Sequence, residues 1–192
     1  MYETPEDMTA LQRLLDDSYA TAGPHLRSII DEDRRLDAAG VVARLRGVST
    51  MALATVTAHG EPRVGPVDGL FLRGHFLFGS GPDSARFRHL RARPAVSATV
   101  FDGELLQITV HGKAVEVSPA EDPVLERFLI EVYGRTAWEE WMHEMPWARI
   151  EAEKMFTFIN PEAMGRPDTG GQERPAAGGQ KGPDAGGQER TA

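Results

Sequence analysis

The chain predicts a mainly β protein in which six antiparallel strands close into a barrel, with helices inserted around it. Three observations point there. Several stretches alternate large apolar residues with small or hydroxyl residues, TMALATVTA at 50–58 most clearly. The strands are joined by turns too short for parallel crossovers: His59-Gly60-Glu61-Pro62, Arg73-Gly74 and Asp102-Gly103. Three strands also precede the first internal helix, whereas a doubly wound nucleotide-binding sheet alternates strand and helix throughout.

The elements follow in order. Thr4-Pro5-Glu6-Asp7 opens a helix with a capping hydroxyl, a proline in the first turn and acids at the positive helix end. Leu11, Leu14, Leu15 and Tyr19 continue it at helical spacing, and Gly23-Pro24 ends it. A second helix is expected over about 26–46. Strands are expected at 50–58, 63–72 and 75–78, then a short helix over about 84–92 that Pro94 stops. Strands at 95–101 and 104–117 form a hairpin about Asp102-Gly103. Ser118-Pro119-Ala120-Glu121 reads as the start of a helix whose apolar face includes Val124, Leu125, Phe128, Leu129 and Val132. A tryptophan-rich segment spans 138–147, and a strand at 154–159 completes the barrel.

Length and composition divide the chain into three parts: a helical extension at 1–46, the barrel at 47–160 and a tail at 161–192. Eight of the 32 tail residues are glycine and four are proline, and PDTGGQERPA at 167–176 nearly repeats as PDAGGQERTA at 183–192. With Met164 as its only large apolar residue, the tail is expected to be disordered. The net charge of -8 argues against a nucleic-acid partner. The absence of cysteine removes disulfides, thiolate metal sites and cysteine nucleophiles. No apolar run suits a bilayer and the N-terminus is acidic, so the expectation is a cytoplasmic protein without a membrane partner.

Charge is unevenly spread. Residues 1–40 carry nine acids and four arginines, whereas 84–93 holds Arg86, Arg88, Arg91 and Arg93 with no acid. This basic helix follows a glycine-rich corner, FLFGSGPDSARFRHLRARP at 76–94. Free N–H groups and a positive dipole lie at the helix start. Gly79 and Gly81 allow close backbone approach, Ser80 and Ser84 offer hydroxyls, and Arg86 suits a bidentate grip on phosphate. By itself the pattern is compatible both with a phosphate cradle and with a tight turn followed by a capped helix. It is neither a dinucleotide fingerprint, since Ser84 replaces the third glycine, nor a P-loop.

With these residues in view, 49–117 resembles the pyridoxamine 5'-phosphate oxidase-like split β-barrel family. STMALATVTAHGEPRVGPV, the third strand ending in Gly79-Ser80, SARFRHLRARPAVS and LLQITVHGKAVEV match that family in order. The resemblance implies a homodimeric split barrel with a flavin in each of two interface clefts. It points to Arg63 and Val64 on the second strand, Gly79 and Ser80 at the corner, and Ser84 and Arg86 on the helix as phosphate contacts. Pro66 and Val67 would lie along the ring, and Gln107 would reach it from the partner side. The implied cofactor is FMN, with a deazaflavin coenzyme or haem as alternatives. The implied activity is a flavin-dependent oxidoreductase acting on a small molecule. A non-catalytic flavin- or haem-binding sensor or storage protein, or a dimeric scaffold, is the alternative.

His89 stands where that family commonly has asparagine or another polar residue. The chain shows no C-terminal arginine and histidine pair like that of the vitamin oxidase, so pyridoxamine phosphate oxidation is not expected. His143-Glu144 begins like a zinc-protease helix, but Trp147 takes the second histidine's place, and no metal site is expected. His59, His75, His89 and His111 are isolated, and no serine sits in a nucleophile elbow. Trp138, Trp141 and Trp147 read as a packed lid or dimer contact, or else as a cofactor wall.

Overall fold

The computed structural model describes residues 2–163, so the expectations for the repeat-bearing tail from 164 onward lie outside it. Helix α1 (Pro5–Ala20) begins as the capping residues dictate. The Thr4 hydroxyl accepts from the Asp7 N–H at 3.2 Å, and the Asp7 carboxylate accepts from the Thr4 N–H at 2.8 Å. Such a box contributes about 1 kcal/mol. Leu11 and Leu15 are buried on the inner face of α1, and each contributes roughly 2 kcal/mol by leaving water.

The helix expected over 26–46 does not form as one piece. The chain makes α2 (Pro24–Ile29), a 3-10 turn at Glu32–Arg34 and α3 (Ala38–Arg44). Asp31 and Asp37 are extended, and the Asp37 carboxylate caps α3 by accepting from the Gly40 N–H at 2.7 Å. Aspartates that bond their own backbone favour caps over helix interiors.

The strands are β1 (Ser49–Val56), β2 (Pro62–Leu72), β3 (His75–Gly79), β4 (Ala95–Asp102), β5 (Leu106–Val117) and β6 (Trp147–Ile159), with α4 (Ala85–Ala92) between β3 and β4. All pairs are antiparallel, and they close a barrel in the order β1-β2-β3-β6-β5-β4. The predicted fold class is the observed one.

Two boundaries differ from expectation. After β5, Ser118 starts only a turn, and α5 (Pro123–Tyr133) is capped by Asp122, whose carboxylate accepts from Val124 N and Leu125 N at 3.0 and 3.1 Å. Both segments carry a cap followed by proline. The second wins because the buried face begins at Leu125. Strand β6 starts at Trp147 rather than 154, since Ala148 and Ile150 alternate inward about exposed Arg149. Helix α6 (Arg135–Glu140) precedes it. Trp138 and Trp147 are buried in a second cluster with Leu77 and Leu129, so these two belong to the core and not to a lid; Trp141 is exposed.

Strand β3 is five residues long, and both neighbours overrun it. It pairs with β2 only over 69–72 and with β6 only over 147–149. The two overruns lie at opposite ends of β3. Past the start of β3, α1 serves the bare edge of β6. Ser18 Oγ accepts from Met155 N at 2.9 Å, and the Tyr19 hydroxyl accepts from Thr157 N at 2.8 Å and donates to Thr157 O at 2.6 Å. The side chains of α1 stand in for the missing strand and satisfy buried backbone groups. Past the end of β3, the Arg86 side chain reaches from α4 to the bare edge of β2 at Pro66 O.

Candidate functional site

The corner between β3 and α4 is built around Gly79, Ser80 and Arg86. The Ser80 N–H donates to Pro146 O at 3.3 Å, tying the corner to the segment before β6. Ser84 caps α4, its hydroxyl oxygen accepting from Phe87 N at 3.3 Å. Phe87 and Leu90 face the core, and Arg86 and His89 flank them on the side toward the β1–β2 hairpin. Arg86 Nη1 donates to Ser80 Oγ at 3.2 Å, and Nη2 donates to Pro66 O, on the bare edge of β2, at 3.0 Å.

The guanidinium is half-buried, and burial pushes Arg86 below the ordinary arginine value. Among the described residues its partners are a hydroxyl and a carbonyl, and no carboxylate pairs with it. A partly desolvated cation with only neutral partners favours the arrival of an anion.

The other arginines of the basic helix are engaged. Arg91 forms a two-pronged pair with Glu116 at 2.8 and 2.9 Å, Arg88 donates to Asp83 O, and Arg93 donates to Ala58 O at 2.7 Å. Arg91 in turn holds the Glu116 carboxyl below its ordinary value, chiefly through that hydrogen bond.

The predicted site residues divide between two faces of the hairpin. Arg63, Gly65 and Val67 stand opposite Thr55, Leu53 and Met51, on the face that α4 covers. A Cβ on Gly65 would lie 3.6 Å from Arg86 Nη2. Val64 and Pro66 alternate to the outer face. Arg63 turns back to Glu61, with 2.6 Å between Nη2 and Oε2, and does not touch Ser80 or Arg86. The room left by Gly79 is filled by Trp147 and Met145, whereas a Cβ on Gly81 would meet nothing within 4 Å. Of the two corner glycines, Gly81 has open space beside it. Gln107 lies on β5 between Phe101 and Phe158 in register, separated from β2 by β4 and β1.

A family model described as Pyridoxamine 5'-phosphate oxidase matches residues 39–159. The chain belongs to that family. Comparison with curated proteins returns no match. Solved structures share the fold of this family member. Rv2991 of Mycobacterium tuberculosis matches at TM-score 0.60 and 21% identity, over 73% of this chain and 96% of that one. Atu2129 of Agrobacterium tumefaciens matches at 0.51 and 23%, over 61% of this chain and only 55% of its own length. A FAD-binding protein of Mesorhizobium loti, mll6688, matches at 0.50 and 22%, over 65% and 95%.

One contact of this family member was not anticipated. Thr55 is buried, and its hydroxyl lies 3.0 Å from His89 Nδ1. A hydroxyl in the inward row of an alternating strand requires a partner, and that is the signal the sequence carried. His111 instead bonds Ser97 Oγ at 2.8 Å on the outer face. Among the described residues no cluster of three or more histidines and carboxylates could hold a metal, and no helix is long and apolar enough to cross a membrane.

Proposed function

We propose that this chain is a homodimeric, cytoplasmic oxidoreductase that holds FMN, or a deazaflavin with the same anionic end, and acts on a small organic molecule. The observation that carries the reading is the half-buried Arg86 guanidinium, whose partners among the described residues are the neutral Ser80 hydroxyl and Pro66 carbonyl. Arg86, the Ser80 and Ser84 hydroxyls and the open backbone at Gly81 would hold the phosphate. The first turn of α4 adds its N–H groups and dipole. A bound flavin would supply the electron-pair chemistry, and the protein would orient it and shield it from water. Arg63 would join by exchanging Glu61 for the ligand. The FAD-binding description of the Mesorhizobium loti neighbour is compatible with this reading.

The outer face supports the dimer. Small residues Ala52, Ala54, Ser97 and Thr99 line adjacent positions on β1 and β4, and Val64 and Phe101 are 74% and 57% exposed beside them. Large apolar side chains exposed around a flat, small-residue surface suit a second copy. Gln107 shares that outer face and would reach the cleft from the partner.

The test is a titration of the purified chain with FMN, deazaflavin and haem, followed by absorbance and by bleaching with a reduced nicotinamide or deazaflavin donor. A flavin spectrum that bleaches supports the oxidoreductase. A stable spectrum that no donor bleaches identifies a storage or sensor protein, and a haem band alone or no spectrum overturns the flavin reading.

A further inference from the structure

Four side chains share the covered face of the β1–β2 hairpin. Arg63 stands directly across from Thr55, Arg86 lies over Gly65 two residues further along β2, and His89 is bonded to Thr55. Arg86 and His89 are three apart on α4, a spacing that places side chains on one helix face. The buried Thr55 hydroxyl fixes Nδ1, while Nε2 has no protein partner among the described residues and is not sealed from solvent. The imidazole is thus anchored through Nδ1.

On α4, Arg86 precedes His89 by three residues, and Arg93, the extended residue just after the helix, is held at Ala58 O. Arg88 and Arg91 are exposed on the other sides of the helix, engaged with Asp83 O and Glu116. From β1 the neutral Thr55 hydroxyl bonds the ring. On the hairpin, Arg63 and Glu61 are paired with each other. Among the described residues no carboxylate is bonded to the ring, and an anion arriving beside Arg86 would be the group that stabilises the ring's charged form.

Resting on the anion-site reading above, we propose that His89 makes binding at this corner proton-linked: as a doubly charged phosphate-like group docks beside Arg86, the His89 ring takes a proton from solvent and becomes a third cation of the site. Thr55 can serve either state, since its hydroxyl accepts from Nδ1–H as readily as it donates to bare Nδ1. His89 is a specificity element that favours a dianion over a monoanion or a neutral head.

The experiment uses inorganic sulfate, which stays a dianion where phosphate monoesters titrate, at about pH 6. Sulfate is titrated as a competitor of FMN on the whole chain and on His89→Gln, between about pH 5.5 and 8.5. Wild-type affinity should rise about tenfold toward the acid end, the effect of one unit of coupling to a nearby opposite charge, while His89→Gln stays flat. In parallel, the pH at which the His89 ring resonances of the wild-type protein change should move upward when sulfate is added, a readout that needs no variant. Equal slopes for both proteins, or ring resonances indifferent to saturating sulfate, overturn the proposal and leave the anion site standing. Absence of any sulfate or FMN binding at every pH removes both.

Discussion

Arg86 reaches from the first turn of α4 to Ser80 at the end of β3, with 3.2 Å between Nη1 and Oγ, and its other terminal nitrogen holds Pro66 O of β2. One side chain therefore joins the helix, the strand end and the bare strand edge, and leaves N–H groups over. Arg86→Ala should weaken FMN binding by about 1–3 kcal/mol, the range for a lost charge-assisted hydrogen bond. Arg86→Lys should recover part of it, because the charge stays and the fork is lost. Flavin fluorescence quenching measures both, and an unchanged Kd in Arg86→Ala removes the residue from the site.

The two glycines of the corner should separate. A Cβ on Gly79 would stand 3.1 Å from the Trp147 ring, so Gly79→Ala should cost about 1–3 kcal/mol of stability through overpacking. Gly81→Ala meets open space and should leave stability within about 0.5 kcal/mol while lowering FMN affinity. Urea unfolding and flavin titration of the pair give the comparison.

Gly112 sits at the β5–β6 register shift, where His111 pairs with Lys154 and Gly112 with Ala152, leaving Glu153 as the extra residue. A Cβ there would come 2.1 Å from Glu151 O. Backbone cannot yield as a flexible side chain does, so Gly112→Ala should destabilise by about 3 kcal/mol or more. A melting temperature equal to wild type would show that the bulge relaxes freely.

Tyr19→Phe removes the hydroxyl that serves both Thr157 N and Thr157 O. The cost should be about 1–3 kcal/mol, because buried backbone groups lose their partner. Amide hydrogen exchange at Thr157 should accelerate well beyond that at Ile108, its cross-strand neighbour on β5. Uniform exchange across β6 would place the loss elsewhere.

Glu116 is held below its ordinary 4.5 by Arg91, so its contribution is fully present above that value and is lost as pH falls through the lower folded value. Both partners are about half exposed, which makes the contribution small and salt-sensitive. Thermal unfolding of Glu116→Gln against wild type should differ slightly at pH 7 and low salt, and converge at strong acid or high salt.

Much of this was legible in the sequence because it is local. Alternation in TMALATVTA places Met51, Leu53 and Thr55 on one face, Asp102-Gly103 makes a hairpin, and the Gly79–Ser84 corner announces a capped helix with Arg86 in its first turn. The tertiary structure alone decided how the overruns of a five-residue β3 are covered. Nothing near Ser18 or Tyr19 in sequence shows that they complete an edge of β6 some 138 residues away. Nor do neighbouring residues show that Trp147 fills the space at Gly79, that Glu61 occupies Arg63, or that Thr55 anchors His89. Periodicity and capping depend on a few adjacent residues, whereas edge cover and ion pairing depend on which strands outrun their partners and on the helices that then fit there.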